Sequence, residues 1–119
     1  MEFLNRIELR GVVGRADINS YNGSQVCNFS VVTEKSAVAR DGSSTVETNW
    51  FQVTAWDRVQ GIDDLSLLQK GLWVEVIGSL RLRKWITSDN EERTSCEVQA
   101  RMVKVLPREA LQMSPQRDY

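Results

Sequence analysis

Alternation with a period of two runs through nearly the whole chain, and it limits the fold more than any other feature. Side chains on an extended strand point to opposite faces in turn, so alternating apolar and polar residues mark strands with one buried face. From about Asn5 to Arg15, Ile7, Leu9 and Gly11 share one face and Arg6, Glu8 and Arg10 the other. Tyr21-Asn22-Gly23-Ser24 is a turn signal. A second strand follows over about Gln25 to Thr33, with Cys27, Phe29 and Val31 on one side. Lys35 to Ser44 is polar and contains Asp41-Gly42, so it reads as a hairpin loop before a third strand over about Thr45 to Trp56.

The pattern then changes. Asp57 is placed to cap a short helix ending before Gly71, with Val59, Ile62, Leu65 and Leu68 as its buried stripe, although Gly61 weakens it. A fourth strand covers about Leu72 to Trp85, and Thr87 to Glu92 is a polar turn. A fifth, about Arg93 to Leu106, puts Cys96, Val98, Ala100 and Met102 on one face and stops at Pro107. Three strands, a short helix and two more strands predict an all-β, five-stranded OB-fold Greek-key barrel. With 119 residues there is room for one such domain, expected over residues 1–106, and a short polar tail over 107–119 expected to fray.

Composition removes several functions. The chain has no histidine, which takes away the Ser-His-Asp and Cys-His arrangements and the commonest general base. Its two cysteines, Cys27 and Cys96, cannot fill a four-thiolate site and sit among strand residues, so both are expected as small buried hydrophobes of a reducing cytosol. Catalytic residues, metal ligands and cofactors are therefore expected to be none. There is no apolar run of ~18 residues to span a membrane and no signal-peptide pattern, so a cytoplasmic protein is expected. The formal net charge of −1 argues at first sight against a polyanionic partner.

Sorting strand residues by face changes that. In the third strand Phe51, Val53 and Ala55 form a core stripe, while Trp50, Gln52, Thr54 and Trp56 point the other way. This offers two indoles outward, roughly 20 Å apart at ~3.3 Å per residue. In the fourth strand Leu72, Val74, Val76, Leu80 and Leu82 are expected inward. Trp73, Glu75, Ile77, Ser79, Arg81, Arg83 and Trp85 are expected outward, with Lys84 adding charge near the strand end. Unstacked bases expose π-faces that stack on tryptophan, and each nucleotide carries a charge that arginine or lysine neutralises. Interleaving the two favours single strands over duplex, whose bases have no free faces. Trp50, Trp56 and Trp85 are thus candidate stacking platforms, and Arg81, Arg83 and Lys84 candidate phosphate contacts. Lys35 and Arg40 on the hairpin loop are candidate further contacts. Trp73, with Glu75 and Ile77, lies away from the arginines and is a candidate oligomer surface.

The ordered motifs resemble the bacterial-type single-stranded DNA-binding protein, a homotetrameric OB-fold family. They are Asn5-Arg6-Ile7-Glu8-Leu9-Arg10-Gly11 with Gly14; Asn22-Gly23 followed by Val26-Cys27-Asn28-Phe29; Thr48-Asn49-Trp50-Phe51-Gln52-Val53; Leu68-Gln69-Lys70-Gly71; Gly78-Ser79-Leu80-Arg81-Leu82-Arg83-Lys84-Trp85; and Thr94 to Val98. The likeness covers about Asn5 to Leu106. It implies stacking on Trp50, Trp56 (commonly phenylalanine in the family) and Trp85, and phosphate contacts from Arg58, Lys70, Arg81, Arg83 and Lys84. It also implies single-stranded DNA as partner, self-association as a tetramer, and a bacterial, nucleoid-associated role in replication, recombination and repair. Two departures stand out. The family often carries a further stacking tryptophan just after the second strand, where Thr33-Glu34-Lys35-Ser36-Ala37 has no aromatic. Many members also end in an acidic tip that recruits replication and repair proteins, whereas this sequence ends Gln116-Arg117-Asp118-Tyr119.

Those departures leave one rival, an OB-fold primosome or assembly factor that binds DNA weakly and mainly contacts proteins. A barrel nuclease is a weaker rival. It needs a carboxylate cluster, and Asp63-Asp64 and Glu91-Glu92 read better as a helix surface and a turn.

Overall fold

The computed structural model describes residues 1–107. Its five strands are β1 (Ile7–Tyr21), β2 (Ser24–Val38), β3 (Ser44–Trp56), β4 (Trp73–Ile86) and β5 (Glu92–Val105). They close into a barrel in the order β1-β2-β3-β5-β4, as an OB-fold requires. Neighbours pair antiparallel except β3 and β5, which meet in parallel through only Val53 opposite Val98 and Thr54 opposite Gln99. The expected tail from residue 108 onward lies outside the described residues.

Within the barrel the core is mostly the set that alternation selects. Val13, Cys27, Phe29, Val31, Val53, Ala55, Val74, Val76, Val98 and Val103 are at most 1% exposed. Most are β-branched, which suits a pleated, half-buried surface. Burial pushes the Cys27 thiol from its ordinary 9.0 up to about 11. The β1–β2 hairpin turns through Asn22 at φ 48° and Gly23 at φ 82°. Such a pair of left-handed residues matches the twist of the flanking strands, and Asn-Gly supplies it at little cost.

The strands run longer than expected. β1 continues to Tyr21, and β2 and β3 extend as an arm whose connecting turn is confined to residues 39–43. Lys35 is therefore a strand residue opposite Glu47, and only Arg40 stays in the turn. β4 and β5 form a second arm beyond Gly78, because β1 ends its pairing at Ile7 opposite Gly78. Asn5 covers the next step: its side-chain amide donates to the Leu80 carbonyl and accepts from the Leu80 N–H, both at 2.8 Å.

Three sequence expectations are corrected. The helix from Asp57 is absent. Residues 57–72 hold turns and one 3-10 turn, Leu65–Leu67, capped by Asp64, whose carboxylate accepts from the Ser66 N–H. Gly61 takes φ +91°, and β5 claims the backbone groups a helix needs: Val103 N–H donates to Gly61 O, Asp63 N–H to Val103 O, and Val105 N–H to the Asp63 carboxylate. The stripe still serves the core, with Leu65 and Leu68 buried and Ile62 packed against it. Second, Leu72, Leu80 and Leu82 are 38%, 41% and 68% exposed, not inward. Leu72 precedes β4, and the other two lie on the arm beyond the barrel, where no opposing strand covers them. Third, Cys96 is exposed because it lies on the second arm opposite exposed Leu82, and Val103 rather than Met102 is buried for a separate reason. The register slips between Ile77 and Gly78, which face Met102 and Ala100, so Arg101 is an extra residue that shifts the alternation by one.

Candidate nucleic-acid interface

Trp50, Gln52, Thr54 and Trp56 alternate along the outer face of β3, opposite the buried Val53 and Ala55. Their neighbours on β2 are Val32, Ser30, Asn28 and Val26. The Thr54 hydroxyl donates to the Asn28 side-chain oxygen at 3.0 Å and ties the two strands on this face. The result is a stripe with a tryptophan at each end and polar groups between.

At one end, Trp56, Thr54, Asn28 and Tyr21 of β1–β3 face Arg81, Arg83 and Glu97 of the second arm across a concavity of about 310 Å³. The Arg58 guanidinium lies 4.6 Å from the centroid of the Trp56 ring. A cation there is attracted by the ring quadrupole. The Tyr21 ring stands 6.2 Å from Trp56, tilted by 52°. Glu97 sits opposite Arg81, and its carboxylate is 4.0 Å from Arg83, so the acid partly offsets the two arginines.

Farther along the same face of the second arm comes Trp85, 46% exposed, with Arg93 opposite it on β5. Arg93 is bonded to Glu91 at 3.0 Å. Lys84 falls on the other face, with Leu82 and Ile86, because alternation separates it from Arg83 and Trp85.

At the other end of the stripe, midway along β3, Trp50 is 62% exposed and leans across β2 onto Gly14 of β1, where a Cβ would come within 2.5 Å of its ring. Lys70 and Trp73 line a second concavity beside Trp50. Lys35 points with the face opposite Trp50, and Arg40 is at the arm's tip. Glu75 binds Arg10 at 2.7 Å on the outer face of β1 and β4, with half-buried Ile77 two residues on.

The structure thus brings together Trp56, Arg58, Arg81 and Arg83 at one end of the stripe, and Trp50 with Lys70 at the other. It separates Lys35, Arg40 and Lys84 from both groups. Sequence reasoning missed Tyr21, Asn28 and Arg93. A period-two count of β1 from Ile7, Leu9 and Gly11 would have turned Tyr21 inward; the register shift between Val13 and Arg15 reverses the faces and brings it outward.

The acidic pairs have structural work. Asp63 accepts from Val105, Asp64 caps the 3-10 turn and Glu91 holds Arg93. Among the described residues no group of three or more His, Cys, Asp or Glu is placed to hold a metal, and no helix is long and apolar enough to cross a membrane.

Comparison with known proteins agrees with this geometry. Residues 4–106 match the model of the Single-strand binding protein family. A single-stranded DNA-binding protein of Neisseria meningitidis is 34% identical over 105 residues, 87% of this chain and 60% of the relative. One from Thermotoga maritima is 29% identical over 110 residues, 91% of this chain and 77% of the relative. The chain thus spans only 60% of the Neisseria protein's length. Among solved structures, a Plasmodium falciparum SSB complex with ssDNA superposes with a TM-score of 0.75, at 29% identity, over 90% of this chain and 98% of that one.

Proposed function

Because the chain belongs to the single-strand binding protein family, we propose that it binds single-stranded DNA with little sequence preference and shields it during replication, recombination and repair. The observation that carries this reading is the outward β3 stripe, Trp50-Gln52-Thr54-Trp56, opening at Trp56 into a groove faced by Arg81 and Arg83. Bases stack on Trp50, Trp56 and Trp85, while Arg81, Arg83, Arg58 and Lys70 neutralise phosphates. Stacking needs only a π-face, which every base has, so the site tolerates any sequence. Lys84, Lys35 and Arg40 serve a strand that wraps around the arms. The family is one of non-enzymatic DNA-binding proteins. A bacterial cytoplasmic, nucleoid-associated setting follows from the same reading. So does self-association as a tetramer, for which the outer face of β1 and β4 around Glu75 and Ile77 is the candidate surface, with Trp73 at its margin.

The test is a competition titration of single-stranded DNA, duplex DNA and RNA of equal length, followed by tryptophan fluorescence. Preferential quenching by single-stranded DNA is expected. Equal affinity for all three would sink the single-strand reading, and no quenching by any would point to the protein-contacting rival.

A further inference from the structure

Trp50 and Trp73 are far apart in sequence and on strands that do not pair, yet the register places them in one transverse row. Trp50 on β3 faces Val32 on β2; Val32 faces Val12 on β1; Val12 faces Trp73 on β4. Residues directly opposite one another share a face of the sheet. Val13, Val31 and Val74, the chain neighbours of this row, are fully buried, so the row itself lies on the outer face. Two indoles therefore stand at the ends of a half-buried Val12–Val32 floor, three strand spacings or about 14 Å across. The concavity over that floor has a volume of about 650 Å³.

The walls are held in place. Gly71 N–H donates to Val13 O and Val13 N–H to Leu72 O, both at 2.8 Å, which pins the start of β4 and sets Lys70 among the lining residues. Gly14 leaves the space in which the Trp50 ring lies. Of the two cations at this concavity, Arg10 is occupied by Glu75 at 2.7 Å, while Lys70 makes no ion pair among the described residues.

From this geometry we infer that Trp73 is a further base-stacking platform, and that the Trp50–Val32–Val12–Trp73 trough holds a continuation of the strand bound along β3. The inference rests on the proposed single-stranded DNA binding and extends its path. An apolar floor between two aromatic walls suits an occupant with flat apolar rings, as a nucleotide has, with the Lys70 ammonium placed for its anionic group and the Glu34 carboxylate, which also lines the concavity, partly offsetting that charge. The trough is also continuous with the β3 stripe, because Trp50 belongs to both. No aromatic stands between Thr33 and Ala37 on β2, so the second wall beside Trp50 comes from β4 instead. This moves Trp73 out of the candidate self-association surface.

Ultraviolet cross-linking of the unaltered protein to 5-iodouracil-containing single-stranded oligonucleotides tests the contact directly. The tryptic peptide Gly71–Arg81 has Trp73 as its one aromatic residue, whereas Asp41–Arg58 carries Trp50 and Trp56. Adducts on both peptides are expected. Adducts on Asp41–Arg58 with none on Gly71–Arg81 would overturn the role of Trp73 and leave the general reading intact. Absence of adducts on either would overturn both. In parallel, Trp73→Ala should weaken oligo-dT binding roughly 5-fold or more at unchanged solution mass, with Trp73→Phe retaining most of it. Unchanged affinity with a reduced mass would make Trp73 an interface residue and refute the inference.

Discussion

Gly14→Ala is the substitution whose effect the geometry defines best. An added Cβ would lie 2.5 Å from Trp50 Cζ3, 3.3 Å from its Cε3 and 2.8 Å from Ser30 Oγ. Carbon atoms rest at ~3.5–4.0 Å, so the indole must retreat by about 1 Å. The ring is the far end of a side chain 62% exposed, and it can swing. Ser30 Oγ, which has no hydrogen-bond partner, can rotate away. The folding cost should therefore sit near the lower end of the usual overpacking range, ~1 kcal/mol. The binding cost should be larger relative to it, because the platform itself is displaced: up to the ~1–3 kcal/mol of a base–aromatic stack, roughly 5- to 150-fold in Kd. Gly11→Ala is the contrasting control. Its Cβ would meet the Val32 carbonyl oxygen at 2.2 Å, which is backbone of the paired strand, so β1 and β2 must part. That variant should lose stability by at least ~1–3 kcal/mol. Urea unfolding reads the stability, and fluorescence titration with oligo-dT reads the affinity. The decisive comparison is Gly14→Ala made in a Trp50→Ala background. If Gly14 acts by seating Trp50, the second change should alter affinity there by no more than ~0.5 kcal/mol. An equal loss in both backgrounds would refute the reasoning.

Other expectations follow from single contacts. Trp56→Ala should weaken oligo-dT binding by ~1–3 kcal/mol. Arg58→Ala should cost less, ~0.5–1 kcal/mol, measured in the same titration. Arg81→Ala and Arg83→Ala should each reduce the slope of log K against log salt by ~0.7, a change that a bystander arginine would not produce. Under native conditions near neutral pH, a thiol reagent should label Cys96 and spare Cys27, and unfolding should release the second thiol. Because the folded Cys27 thiol titrates near 11 rather than 9.0, its contribution to stability is full below pH 9.0 and is lost as pH rises through that window, which alkaline denaturation of Cys27→Ser would expose. Hydrogen bonds from Ser66 hold the Asp64 carboxyl below its ordinary 3.8, so its contribution is present above that pH and lost below it; Asp64→Asn should flatten the acid limb of the stability curve.

Much of this molecule was legible because alternation is a local signal. The faces of β3 were assigned correctly down to Trp50 and Trp56, and Val53 and Ala55 are buried as expected. What was not legible depends on neighbours distant in sequence. Nothing near Leu80 or Leu82 says that β1 stops short of them. The bulge at Arg101 is set by its partner strand, so Met102 was misplaced although its own alternation is regular, while Cys96 keeps the phase of Val98 and Ala100 but lies on the arm opposite exposed Leu82. The Asp57 helix failed for a like reason: its apolar spacing is real, but β5 takes its backbone hydrogen bonds. Net charge misled because it averages over faces, and the transverse row that joins Trp73 to Trp50 was not legible because cross-strand register is invisible in a single sequence.

The parallel contact of β3 with β5 spans two residue pairs, while each strand continues into a long hairpin on either side of it. Mechanically, this makes the seam a short hinge between two cantilevers. The first arm and the β3 stripe lie on one side of that hinge, and the second arm with Arg81, Arg83 and Trp85 on the other. Only these two backbone pairings join the sides at the seam, so the width of the groove is set there mainly by the packing of Val53 against Val98 rather than by a long ladder of hydrogen bonds.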